Sequence, residues 1–162
     1  MRQFFLCIVS LLLLNACSKQ PDYAFMQDNF KDNRATFAMI AAVACEVGRQ
    51  SGQDKLTISS STEKSEAVLE LAQTVDVESI RYTDESGRCN LAMPVYDSQQ
   101  GDIKERFMYR YNLATPAQYQ RRKHSYEKAT HEVKSGVRPQ IAFDMKLTKR
   151  WFFSFLYARQ AH

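Results

Sequence analysis

The hydrophobic period of this chain changes once, and the change divides it. Between about Tyr23 and Val75 apolar residues return every three or four positions; beyond residue 77 they return every two. A step near 3.6 stacks side chains on one face of a helix, whereas a step of two places them on one face of a strand. The pattern predicts an α+β fold: two N-terminal helices on one face of an antiparallel sheet of about five strands.

The first helix is expected from Tyr23 to Arg49. Met26, Phe30, Phe37, Ile40, Ala44 and Val47 form its apolar stripe. Asp22 suits the N-cap, and Gly48 and Gly52 flank the C-terminal end. An aromatic stripe at this spacing belongs to a core, so no ligand is assigned to it. Leu56-Thr57-Ile58 could form a short extended piece. A second helix is expected over about Thr62 to Val75, with Ser60 and Glu63 as its capping box and Val68, Leu71 or Ala72, and Val75 inward.

Strands are expected over residues 77–83, 88–96 and 103–113, joined by tight turns at Asp84-Glu85-Ser86-Gly87 and at Ser98 to Asp102. Pro94 lacks an N–H for the ladder, so the second of these should lie at an edge or end there. Residues 116–134 are polar, with a narrow stripe at Tyr119, Tyr126, Ala129 or Thr130, and Val133; a surface helix and a mobile crossover both fit. Strands over 139–147 and 150–158 close the sheet. The last is apolar on both faces, with Trp151, Phe153, Phe155 and Tyr157 opposite Phe152, Leu156 and Ala158. Its second face must be covered by residues 116–134 or meet a partner.

The N-terminus reads Arg2, an apolar run from Phe4 to Leu14, then Leu14-Asn15-Ala16-Cys17. The run is shorter than the ~20 residues of a membrane-spanning helix and fits the apolar part of a signal peptide. This segment resembles the signal peptide and lipobox of bacterial lipoproteins, with Asn15 less usual at its position. The resemblance implies removal of residues 1–16 and lipid on Cys17, with residues 17–22 as a tether and 23–162 as one domain. Ser18, where an Asp would hold a Gram-negative lipoprotein at the inner membrane, implies the outer membrane, periplasmic face. The order of elements, with Asp28-Asn29-Phe30, Asn33 and a Trp-aromatic strand at Trp151 to Tyr157, is also similar to that of small Gram-negative lipoproteins and brings no known activity.

In that compartment Cys7 leaves with the signal and Cys17 carries lipid. Cys45 and Cys89 remain and are expected to form a disulfide; two buried thiols are the alternative, and no CxxC supports a redox or metal site. Charge is lopsided: residues 17–100 carry a net −5 and residues 101–162 a net +8. Either the halves interleave and neutralise each other, or a basic face awaits an acidic partner.

No GxSxG, SxxK or P-loop pattern occurs. If residues 116–134 were one helix, His124, Glu127 and His131 would share a face, a set more consistent with a solvated face than with zinc. The expectation is therefore a non-enzymatic protein with no metal and no cofactor, membrane-held through Cys17. It would bind another protein as an envelope accessory or as an immunity or inhibitor-like protein. A lipid- or small-ligand-binding domain with an apolar pocket is the alternative, and an envelope hydrolase the third. A periplasmic address makes nucleic acid an improbable partner. The expected partner-binding residues are Arg121, Arg122, Lys123, Lys149, Arg150 and Phe152, with Lys146, Lys149, Arg150 and Arg159 as a basic rim around Phe152.

Overall fold

The computed structural model describes residues 20–160. The expected signal segment and the expected lipid site, Cys17, lie outside the described residues. Among the described residues no helix is long and apolar enough to cross a membrane.

The fold is α+β. Its helices are α1 (Tyr23–Asp32), α2 (Arg34–Ser51), α3 (Glu63–Gln73) and α4 (Tyr126–Lys134). Its strands are β1 (Lys55–Thr57), β2 (Arg81–Glu85), β3 (Arg88–Gln100), β4 (Ile103–Tyr111), β5 (Gln140–Lys146) and β6 (Trp151–Arg159). They form one sheet in the order β1-β2-β3-β4-β6-β5, every pair antiparallel.

The single long helix expected from Tyr23 to Arg49 is broken. Asn33 leaves helical geometry at φ −112°, ψ 27°, and its side-chain amide donates to the Asn29 carbonyl and side-chain oxygen. A short amide side chain that bonds nearby backbone competes with the helix ladder. The break still leaves Phe30 and Phe37 against the same Trp151 ring, at 5.5 and 5.4 Å. Asp22 caps α1 by accepting from the Phe25 N–H at 2.7 Å, and Gly52 closes α2 in the left-handed conformation at φ 67°. The α3 cap is not Ser60 with Glu63. The Thr62 hydroxyl accepts from the Ser65 N–H, and the Ser65 hydroxyl accepts from the Thr62 N–H, a reciprocal pair two residues further on.

Strand β3 runs past Pro94 to Gln100, longer than expected. Pro94 sits where β2 has already ended, so its missing N–H breaks no ladder; the register shifts between Pro94 and Tyr96. Leu56 and its neighbours become a sixth strand. Residues 116–134 are part loop and part helix, with only Tyr126–Lys134 helical.

The helices share one face of the sheet. Phe107, Tyr109, Phe143, Phe153 and Phe155 point into it and meet Tyr23, Phe37 and Tyr126 from the helices. Phe37, Ile40, Phe107, Tyr109 and Phe153 are fully buried. The buried Tyr109 hydroxyl donates to the Met26 carbonyl at 2.9 Å, which satisfies both groups.

After β4 the chain reaches the outer edge of β5, and its aromatic side chains pack on the helix face, Tyr119 on Phe143 and Tyr126 on Phe155. Gln118 bridges to Asp144 on that edge, and on the opposite face Ala117, Met108, Arg110 and Leu156 line a groove of about 220 Å³. Phe152, on that opposite face, is only 8% exposed. Arg110 and Lys146 stand directly opposite Phe152 on the two neighbouring strands. Phe152 is thus part of the packed structure, not the exposed centre of a docking site. Phe152→Ala is expected to lower stability by about 2 kcal/mol, the transfer value for a ring of this kind. A thermal melt checks this.

Candidate interaction groove

Three chain segments meet at the end of the sheet where β4 stops. The first is the C-terminal half of α2. The second is the β2–β3 turn, a two-residue hairpin in which Ser86 and Gly87 both have positive φ, 57° and 77°. The third is the connection between β5 and β6, where the Leu147 N–H donates to the Trp151 carbonyl at 2.9 Å.

Cys45 and Cys89 are disulfide-bonded, with Cα atoms 5.7 Å apart, and tie α2 to the start of β3. Asn112, in the left-handed conformation, ends β4 and fastens it on both sides. Its backbone N–H donates to the Arg150 carbonyl at 2.8 Å and its side chain to the Cys89 carbonyl at 2.9 Å.

These ties frame an open groove of about 670 Å³. Ala41, Ala42, the disulfide and Leu113 give it apolar surface; Arg49, Arg88, Lys149 and Arg150 stand around it. No Asp or Glu lines it. A neighbouring groove of about 380 Å³ shares Ala41, Ala42, Tyr111, Lys149 and Arg150 and extends the surface along α2 to Ala38. Among the described residues none of the four cations forms a salt bridge. Arg150 donates to the Tyr111 hydroxyl at 3.2 Å. Six other basic side chains are paired, Lys64 with Glu46 among them, while ten, including Arg110, Arg121, Arg122 and Lys146, are like the groove's four without a salt bridge among the described residues. Lys104 and Arg106 pair with Asp97, Lys128 and Arg138 with Glu132, and Arg159 with Asp102. The two halves of the chain do interleave, through Asp97, yet the groove keeps its charge. Like charges around a concave surface focus a positive potential and repel one another until an anion enters.

The structure brings Lys149, Arg150 and Phe152 to this groove. It leaves Arg121, Arg122 and Lys123 exposed in the turn before α4, and none of the three lines the groove. Arg159 is not part of a rim around Phe152. It lies at the other end of β6, bound to Asp102 at 2.9 Å and to the Lys134 carbonyl at 2.9 Å. Arg49 and Arg88 were not expected here. Each is close in sequence to a disulfide cysteine, Arg49 one helical turn beyond Cys45 and Arg88 next to Cys89, so the expected pairing already implied their convergence.

His124, Glu127 and His131 do not share a helical face, because α4 begins only at Tyr126. The His124 ring stacks on Phe143 at 4.9 Å, and its Nδ1 accepts from the Gln120 N–H at 3.0 Å. Burial, then Arg138 and Lys123, hold its pKa below the usual histidine value. This is a ring packed on the sheet. Among the described residues no group of three His, Cys, Asp or Glu side chains could hold a metal ion.

No protein-family model, curated protein or solved structure matches the chain at a significant level.

Proposed function

We propose that the protein is a lipid-anchored binding protein of the Gram-negative periplasm, cut before Cys17 and held by lipid on that residue at the outer membrane. Its domain docks an acidic segment of a partner protein in the groove between α2, the β2–β3 turn and the β5–β6 connection, and it catalyses no reaction. The observation that carries this reading is the convergence of Arg49, Arg88, Lys149 and Arg150 on one concave surface without a lining carboxylate. Charged and apolar surface side by side suits a peptide that carries carboxylates on one side and apolar side chains on the other. The space between helices and sheet, where an apolar ligand would sit, is filled by Met26, Phe37, Tyr109 and Phe153, which favours protein binding over a lipid pocket.

The test uses a fluorescein-labelled oligo-glutamate peptide and the purified full chain, at low and physiological ionic strength. Arg88→Glu combined with Arg150→Glu is expected to weaken binding by at least about tenfold, with no change in melting temperature, since both side chains are exposed. Arg121→Glu combined with Arg122→Glu makes the same change in net charge away from the groove and is expected to leave affinity nearly unchanged. Equal weakening by the two pairs would mean that only overall charge matters, and would overturn the assignment of the groove.

A further inference from the structure

The opposite end of the sheet holds a different arrangement. Glu105, near the start of β4, is 8% exposed. Burial pushes its carboxyl pKa up, while Tyr126, Gln20 and Lys134 act against that rise. The Gln20 side-chain amide donates to Glu105 Oε1 at 2.8 Å and also to the Tyr126 hydroxyl. Gln20 therefore fastens the start of the described chain to β4 and α4, immediately ahead of the Asp22 cap of α1.

Gln20 follows Cys17 by three positions, with only Ser18 and Lys19 between them. A fully extended chain of that length spans at most about 11 Å. Glu105 and Tyr111 lie six residues apart on β4, which at the rise of a strand is about 20 Å. Tyr111 lines the cationic groove. The point at which a lipid on Cys17 would enter the bilayer and the mouth of the groove thus belong to opposite ends of the same strand.

The surface beside the Gln20 attachment has a different chemistry from the groove. Phe25, in the first turn of α1, is 39% exposed, one of few large apolar side chains with such exposure among the described residues. With Pro21, Val77 and Val95, and with Gln73 and the carboxylates Asp76 and Glu78 beside them, it lines an open groove of about 410 Å³. Aromatic rings and apolar surface close to a lipid anchor suit the headgroup boundary of a bilayer.

We infer that the domain stands on its membrane in one orientation, with Gln20 and Phe25 against the phospholipid surface and the cationic groove facing away from it. The inference rests on the acylation of Cys17 proposed above. It narrows the identity of the groove's occupant. An acidic segment arriving from the aqueous side can reach Arg49, Arg88, Lys149 and Arg150, whereas the headgroups of the membrane that holds the chain cannot.

The chain has a single tryptophan, Trp151, at the groove end of the sheet. The acylated full chain is reconstituted into phosphatidylethanolamine–phosphatidylglycerol vesicles with and without brominated phospholipids, which quench indole at short range. The wild-type emission, from Trp151, is expected to be unaffected. The Phe25→Trp protein is expected to lose the emission added by its second indole. Adding Gln20→Ala to Phe25→Trp is expected to restore part of that emission, because the domain then tumbles on its tether. Quenching of wild-type Trp151, or an unquenched Phe25→Trp emission, would overturn the orientation while acylation stands. An unmodified mass for the Cys17 peptide would instead overturn the acylation, and the orientation with it.

Discussion

Replacement of both Cys45 and Cys89 by alanine is expected to cost about 4 kcal/mol, the chain-entropy value for a loop of this length; the two cysteines are 44 residues apart. For a chain of this size that is a fall in melting temperature of roughly 10–15 °C. The loop contains α3, β1 and β2, so its release frees a third of the domain's elements at once. Both side chains are almost buried, and no neighbouring thiol is available to replace the bond among the described residues. The same substitution should weaken binding of an acidic peptide, because the bond holds Arg49 and Arg88 on one groove. Thermal melts of the wild type with and without a reductant, beside the double variant, check the value. A variant as stable as the oxidised wild type would show that packing alone positions α2 on β3.

The second large effect is expected at Gly48. It lies inside α2, where alanine is the better helix former by about 1 kcal/mol. Propensity alone predicts that Gly48→Ala stabilises the protein. Packing predicts the reverse. A β-carbon at this position would overlap the Tyr82 ring, and Tyr82 is 2% exposed with its hydroxyl near Asp84 at 3.3 Å. The overlap is with the root and one edge of a buried ring, not the tip of a flexible chain, and forcing atoms into a packed core costs about 1–3 kcal/mol, occasionally more. Gly48→Ala is therefore expected to lose about 3 kcal/mol despite its helix propensity. Combining it with Tyr82→Val should recover part of the loss, a coupling that a double-mutant cycle measures. An unchanged or raised melting temperature for Gly48→Ala would place the helix further from β2 than described.

The regular elements were legible where periodicity was strong. Phe107, Tyr109, Phe143, Phe153 and Phe155 alternate cleanly, and each turns inward. What failed was local chemistry competing with that period. The stripe from Met26 to Val47 continues through Asn33, so nothing in the apolar spacing marks the break; the Asn33 amide bond to Asn29 does. Thr62 and Ser60 are equally good caps by residue type, and only the return bond from Ser65 separates them. Pro94 signals the end of a ladder, and the ladder that ends is β2's, not the strand that contains the proline.

The groove was half legible. Lys149 and Arg150 stand out as a basic pair before an aromatic strand. Arg49 and Arg88 are isolated charges in sequence, and their meeting depends on the 44-residue closure at Cys45 and Cys89. Phe152 was misleading for a topological reason. Apolar residues on both faces of β6 suggest an exposed second face, yet Phe152 is buried between Arg110 and Lys146 of the neighbouring strands.

Photo-crosslinking in intact cells tests most directly whether the groove is where a partner binds. A benzoylphenylalanine at Ala42 or Leu113, both lining the groove, is compared with one at the exposed Glu66 on α3. The account predicts a protein adduct from positions 42 and 113 and none from 66. That adduct should map to an Asp- and Glu-rich segment and disappear when Arg88→Glu and Arg150→Glu are combined. Adducts that persist in that variant, that form equally at Glu66, or that contain lipid or glycan instead of protein would contradict it.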